Sequence, residues 1–316
     1  MPGEEKNIFE LLKEKKKIDP RYSFKETTAP EKDDRWPRIT VVTPSYGQGK
    51  YLESAILSVI GQGYPNLEYI VIDGGSTDNS AEIIKKYAKY ISYWISEKDN
   101  GQADAVRKGL EKSTGSIMAW LNADDMYAEG TLFKVADHFK HNRSDVVYGD
   151  EYVVDETNVV VGDRRTLPFP PDKLALAFFM YGGFWTFQTT TFWRRSIYEK
   201  AGGIDPHYFF SLDVDLFSRY VLEKASFSYL RSHLAYFRIH ENSKSYTRQD
   251  MCLKERRQII AKFSKNIPLL FRNRSVMRAL GAAYFYRHLF AGSPEFILYE
   301  GMRRTGIIKK HPLMPY

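Results

Sequence analysis

The chain has 316 residues, with 46 lysines and arginines against 39 acids, a formal net charge of +7, and 43% apolar against 27% charged side chains. That length and balance support a full apolar core, and they exclude disordered, collagen-like and disulfide-scaffold chains. A lone cysteine, Cys252, forms no internal bridge and requires no oxidising compartment. The charge is unevenly spread: residues 1–38 carry 10 basic and 9 acidic side chains, residues 39–250 carry 23 and 27, and residues 251–316 carry 13 and 3. A basic tail therefore follows a mildly acidic body.

Met1 to Asp19 is charged throughout and lacks an apolar h-region, so no secretory signal is expected. The longest uncharged stretch, 174–193, has the length of a membrane span but contains Gly182-Gly183, Gln188 and four threonines. It reads as a buried turn and strand beside a pocket, because unpaired polar groups are costly in lipid.

Residues 1–37 form a charged, proline-punctuated arm with one short helix expected over 8–17, and read most simply as a solvated leader. From Arg38 onward, β-branched runs alternate with segments of helical spacing. Strands are expected over 38–43, 67–72, 93–96, 116–121 and from 145, with helices over 50–60, 80–88, 102–112 and 129–139. Such alternation specifies an α/β fold: a Rossmann-like, mostly parallel central sheet with helices on both faces. Ligands then sit beyond the carboxyl ends of the strands. Further on, 151–161 reads as a hairpin around Thr157-Asn158, 188–193 as a strand, 213–223 as a helix, 227–229 and 235–239 as strands, and 250–290 as helical.

The strand ends carry the chemistry. Asp73 heads Asp73-Gly74-Gly75-Ser76-Thr77-Asp78, a composition that suits a plain turn but also places a carboxylate where a nucleobase or ribose could bond to it. Asp124-Asp125 follows the fourth strand. One acid would cap the next helix; two adjacent acids after a buried strand point to Mg²⁺ or Mn²⁺ with a substrate diphosphate completing the shell. His138 and His141, with no accompanying ligand set, read as surface residues. A dinucleotide-binding fingerprint starts at Gly47-Gln48-Gly49, but Leu52 stands where its third glycine belongs and Pro44 interrupts the turn.

From about Ile39 to Ser245 the chain resembles the family 2 glycosyltransferases of GT-A fold. The resemblance rests on Thr43-Pro44-Ser45-Tyr46, Asp73 to Asp78, Asn100-Gly101-Gln102, Leu121 to Asp125, Asp213 to Arg219 and His240 to Ser245, in that order. It implies a GT-A domain over 38–248, with a nucleotide-sugar half (38–150), an acceptor and catalytic half (151–248), and a basic helical extension over 249–316. By the same resemblance Thr43, Pro44, Tyr46, Asp73, Asn100, Gln102 and Asp124 bind the donor. Asp125, Asp124 and His240 hold Mn²⁺ or Mg²⁺, and Asp213 is the general base. Arg107 and Lys108 face either the donor phosphates or solvent. Gly74, Asn122 and Leu212 depart from acids common in the family.

Aromatics over 178–193 either line an acceptor site or pack in the core; Trp185, Gln188 and Asp215 are the acceptor candidates. The expected reaction is metal-dependent, inverting transfer of a sugar from a nucleotide-sugar, UDP-linked as the commonest guess, to a hydroxyl of a saccharide or lipid-linked saccharide. The alternatives are sugar-phosphate nucleotidyl transfer, or a silent protein binding anionic lipid or nucleic acid through the tail. The acids in the body favour catalysis without nucleic acid. With no secretory signal and no need for an oxidising compartment, a cytoplasmic location is expected, where the basic, aromatic tail could hold the protein at the inner face of the plasma membrane.

Overall fold

The computed structural model describes residues 17–19, 32–168, 170, 172–177, 180, 187–247, 249–273, 275–277 and 279–280. Its β-branched runs become strands of one sheet, ordered β3-β2-β1-β4-β8-β6-β9-β5 with β7 on the far side of β6. Strands β1 (Ile39–Ser45), β2 (Leu67–Asp73), β3 (Tyr93–Ser96) and β4 (Ile117–Trp120) are mutually parallel. The other half is mixed. Strand β8 (Phe192–Arg194) runs antiparallel to β4 and β6 (Val146–Val154), whereas β6 and β9 (Phe227–Arg238) are parallel. Strands β5 (Met126–Tyr127) and β7 (Val160–Arg164) add antiparallel pairs.

Side-chain alternation along the strands sorts the helices into two layers. Ile39, Val41 and Val71 face α1 (Gly49–Ile60), α2 (Ser80–Lys86) and α4 (Thr131–His141). Val42, Ile70, Ile72 and Trp120 face α3 (Gln102–Lys112), α5 (Asp172–Ala177), α6 (Arg195–Lys200) and α7 (Leu212–Leu222). Helix α3 seats closely because Gly109 has no side chain: a Cβ there would meet Val42 Cγ1 at 2.4 Å.

Several elements differ from the sequence reading, each for a local reason. Strand β1 continues through Pro44, which is tolerated because the pairing with β4 ends at Val42 and the missing N–H costs no ladder bond. Gln188–Thr190 is a 3₁₀ turn, and only Phe192–Arg194 extends. The two strands expected after residue 227 are one, kept in pairing with β6 by register shifts around Asp150. The arm is partly docked: Lys17 bridges Val159, and Ile18 packs with Met126, Tyr152, Val154 and Val160.

The helix expected over 250–290 stops at Phe263, as α9 (Gln249–Phe263), after a short α8 (Lys244–Thr247). Ile259, Phe263, Ile267 and Met277 join the same core as Trp120 and Phe217, so this part of the basic extension is integral to the body. Burial of each such side chain is worth about 1.5–3 kcal/mol. Residues 281–316, which carry the membrane-surface expectation, and Trp185 lie outside the described residues. Among the described residues no helix is long and apolar enough to cross a membrane.

Candidate active site

Strand register lines up Ser45, Asp73 and Ser96 at the carboxyl ends of β1, β2 and β3. Asp73 has no exposed surface and accepts three hydrogen bonds, from Ser76 N (2.9 Å), Ser76 Oγ (2.5 Å) and Ser96 Oγ (2.6 Å). It therefore anchors the 74–76 loop as a floor. Asp99 occupies the space beside Gly74: a Cβ there would stand 2.8 Å from Asp99 Oδ2, so a side chain at 74 would require Asp99 to turn aside. Burial raises the Asp99 carboxyl above the usual range, with the Gly101 N–H opposing at 2.8 Å. Tyr46 is 70% exposed beside this floor, an uncovered aromatic face. Pro44 is buried, and Thr43 turns into the core, where its Oγ1 accepts the Tyr69 hydroxyl at 3.0 Å.

The turn after β4 is folded back on Arg238. Asp125 Oδ1 accepts the Arg238 N–H (3.0 Å), Asp125 Oδ2 accepts Asn122 Nδ2 (3.1 Å), and Arg238 Nε donates to the Asp124 carbonyl (2.8 Å). Asp125 is 1% exposed, and burial, then the Asp124 charge, push its carboxyl well above the ordinary range. With one hydrogen bond on each oxygen, Asp125 is turned inward and lies less open than Asp124 to the metal expected at both. Asp124 is the outward acid: its Oδ2 lies 3.1 Å from His240 Nε2. His240 packs on Tyr51, ring centroids 4.6 Å apart and planes tilted by 43°, and leaves Nδ1 buried without a partner.

Among the described residues no three His, Cys, Asp or Glu side chains converge to hold a metal by themselves. The Asp124–His240 pair fits a divalent cation whose shell substrate phosphates and water complete. Such an ion would take Nε2, the ring nitrogen beside the carboxylate, and leave the buried Nδ1 as it is.

One polar chain crosses the cleft. Lys244 Nζ donates to Gln102 Oε1 (2.7 Å), Gln102 Nε2 to Asn122 Oδ1 (2.6 Å), Asn122 Nδ2 to Gln188 Oε1 (3.1 Å), and Gln188 Nε2 to the Trp120 carbonyl (2.7 Å). Gln188 is thus a brace between β4 and the 122–125 turn. Lys244 stands 4.1 Å over the Phe209 ring, and burial lowers its ammonium to about 8 against the opposing charges of Asp124, Glu255 and Asp99. Asn100 is exposed and bonds Asp104 through its N–H (3.2 Å). Arg107 and Lys108 are ion-paired along α3, Arg107 with Asp104 and Glu111, Lys108 with Glu97 and Asp104. That places them on a solvated helix face.

Asp213 opens α7. Burial lifts its carboxyl to about 6, against the Val214 N–H (2.8 Å) and the Arg256 charge. Asp215, one of the acceptor candidates, has no exposed surface and is held by Arg219 (2.8 Å) and Lys262 (2.7 Å), so it ties α7 to α9 and does not reach an acceptor. Trp193 is likewise core, against Trp120 and Phe217. His141 is exposed and His138 half-buried on α4, apart from any ligand set. Arg238 lies outside the motifs, and Lys244 lies within the His240 to Ser245 motif with no role assigned to it there. A basic residue two before or four after His240 was the available signal.

The family model described as Glycosyl transferase family 2 matches residues 40–202. An uncharacterized glycosyltransferase of Nostoc sp. is 30% identical over 181 residues, 54% of this chain and 54% of its own length. TuaG of Bacillus subtilis, named for teichuronic acid biosynthesis, is 36% identical over 101 residues, 31% of this chain and 40% of its own. The chain spans about half the length of the curated relatives it matches. Among solved structures, Staphylococcus aureus TarS 1-349 with UDP-GlcNAc superposes at a TM-score of 0.58 and 18% identity, over 79% of this chain and 73% of that one. The mannosyltransferase PcManGT of Pyrobaculum calidifontis, in complex with GDP-Man and Mn²⁺, superposes at 0.55 and 18%, over 90% and 85%. These structural likenesses agree with the GT-A arrangement of the sheet. Because the family match covers more than half of the sequence and includes the strand-end acids from Asp73 to Asp125, this chain belongs to glycosyl transferase family 2.

Proposed function

We propose that this glycosyltransferase moves a sugar from a nucleoside diphosphate donor to a hydroxyl acceptor with inversion at the anomeric carbon. The observation that carries the reading is the placement of Asp213. It is a partly buried carboxylate at the first turn of α7, raised to about 6 by burial even with the Arg256 charge opposing. A base with that affinity is largely ionised at pH 7 yet still takes up a proton readily. Asp213 accepts the proton of the acceptor hydroxyl as its oxygen attacks from the face opposite the leaving diphosphate; a single displacement inverts.

The donor would lie over the 74–76 floor with its base against Tyr46. Asp73 has used three of the about four acceptor positions of a carboxylate, which leaves one for a base N–H. Asp124 and His240 would hold a divalent cation, Mn²⁺ or Mg²⁺, which when bound neutralises charge on the leaving diphosphate. Lys244, steadied by Gln102, presents an ammonium to the same phosphates. A UDP-sugar is the first donor to test, since TarS is described with UDP-GlcNAc, and GDP-Man, described with PcManGT, is the second. A role in bacterial surface polysaccharide or glycoconjugate synthesis is our inference from the relatives' names.

The test is a panel of UDP- and GDP-sugars with Mn²⁺, with the released phosphate species identified. Release of a nucleoside diphosphate supports the proposal. Pyrophosphate release from a sugar phosphate and a nucleoside triphosphate would instead mean nucleotidyl transfer and overturn it.

A further inference from the structure

Helix α7 has no cap of its own: Ser211, at its N-cap position, makes no side-chain capping bond. The three N–H groups that lead the chain into it, Phe209 to Ser211, are taken by a residue more than forty positions away. Glu255 Oε1 accepts Phe209 N at 2.7 Å, and Glu255 Oε2 accepts Phe210 N at 2.9 Å and Ser211 N at 2.8 Å. Glu255 sits on α9 and is only 6% exposed. The helices are tied again by Lys262, which reaches Asp215 (2.7 Å), and by Ile259 and Phe263, packed in the core that holds Leu212 and Val214.

Three N–H groups converging on one carboxylate fix three successive peptide planes, and therefore the point and direction from which α7 starts. Asp213 is the second residue of that helix. Only an ionised carboxylate suits this duty: it offers two acceptor oxygens, whereas a glutamine amide offers one and turns an NH₂ toward a backbone donor. The charge also matters to its neighbourhood. The groups facing Asp213 from α9 are Glu255, whose charge favours the protonated acid, Arg256, whose charge opposes it, and the Cys252 thiol. Lys244 faces Glu255 from α8.

We infer that Glu255 is a positioning residue for the reaction, so that the segment after β9 completes the active site by holding the first turn of α7 and the Asp213 carboxylate on it. This rests on the reading of Asp213 as base. It also gives the core of the C-terminal extension a part in turnover, distinct from any role as an anchor.

The test uses the full chain with Glu255→Gln, Glu255→Asp and Asp213→Asn. Turnover is read as nucleoside diphosphate release from the sugar donor that wild type uses fastest, with hydrolysis as the readout if no acceptor supports transfer. UDP with Mg²⁺ is the binding probe. Glu255→Gln should lower kcat about tenfold while the Kd for UDP stays within about twofold, a factor below 0.5 kcal/mol. Its acid limb in the pH–kcat profile should also move to lower pH, because a negative neighbour of Asp213 is gone. Glu255→Asp keeps the charge but not the reach, so the acid limb should stay and kcat should still fall several-fold.

Unchanged kcat and acid limb in a folded Glu255→Gln chain would overturn the inference. If that variant fails to fold, Glu255→Asp decides: a several-fold fall in kcat supports the role, and a kcat within twofold of wild type overturns it. Near-normal turnover by Asp213→Asn would remove the base assignment itself. Loss there, together with an unaffected Glu255→Gln, removes only the role of Glu255.

Discussion

Asp73 is fixed by Ser76 and Ser96, three and twenty-three positions away, within one βαβ unit. Asp124 and Asp125 are fixed by His240 and Arg238, more than a hundred positions on, and the helix that bears Asp213 is started by Glu255. The donor floor is thus built from local turn chemistry, and the cleft's reactive side from contacts between segments far apart in the chain. The contrast predicts that damage at Asp213 or at its support from Glu255 impairs turnover and leaves donor binding largely intact.

The hardest test is Asp213→Asn. The amide is nearly isosteric but takes up no proton, so kcat should fall about 10²–10⁴-fold. The Kd for UDP with Mg²⁺ should stay near wild type. In wild type the sign follows from the raised carboxyl: the base is protonated below about 6, so kcat should rise through that pH and level off above it. Near-normal turnover by the variant, or an acid limb far from 6, would break the division of labour between the two sides.

His240→Ala probes the long-range pair directly. With Asp124 left as the one outward acid, the Mn²⁺ concentration for half-maximal activity should rise about 10–100-fold, and saturating Mn²⁺ should restore much of kcat. A metal titration indistinguishable from wild type would remove His240 from the cation site.

The same division explains what could be read without coordinates. Strand β3 and helix α3 fall where side-chain period places them, at Tyr93–Ser96 and Gln102–Lys112, because each buries one face of a regular repeat. Asp73, Asp124, Asp213 and His240 were visible because they sit in short motifs at element ends. The inward turn of Asp125 was not, since it depends on an Arg238 backbone N–H delivered from the far end of β9. Strand β9 itself looked like two strands because Arg231, Ser232 and His233 interrupt its apolar run. His233 is nonetheless buried, its Nε2 met by Asp163 at 2.5 Å and its ring stacked on Tyr152 at 3.9 Å. A buried His–Asp contact carries no hydrophobic period, and neither do a tether such as Lys262–Asp215 and a carboxylate on one helix that holds the chain entering another.

Lys244 gives the smallest and most discriminating prediction, because it belongs to the reactive side but is assigned to the donor. Burial lowers its ammonium to about 8, so it is charged below that pH and neutral above it. Wild-type affinity for UDP with Mg²⁺ should therefore be fully present near pH 7 and weaken about five- to tenfold by pH 9, the loss of roughly 1–1.4 kcal/mol of charge-assisted contact. Lys244→Met should start weak by about the same factor and show no such decline, while the acid limb set by Asp213 stays where it is. Calorimetry across that range reads the first effect, and the pH–kcat profile reads the second. If Lys244→Met instead shifted the acid limb and spared UDP affinity, the ammonium would be acting on Glu255 and the base, and the division between donor floor and reactive side would have to be redrawn through Gln102.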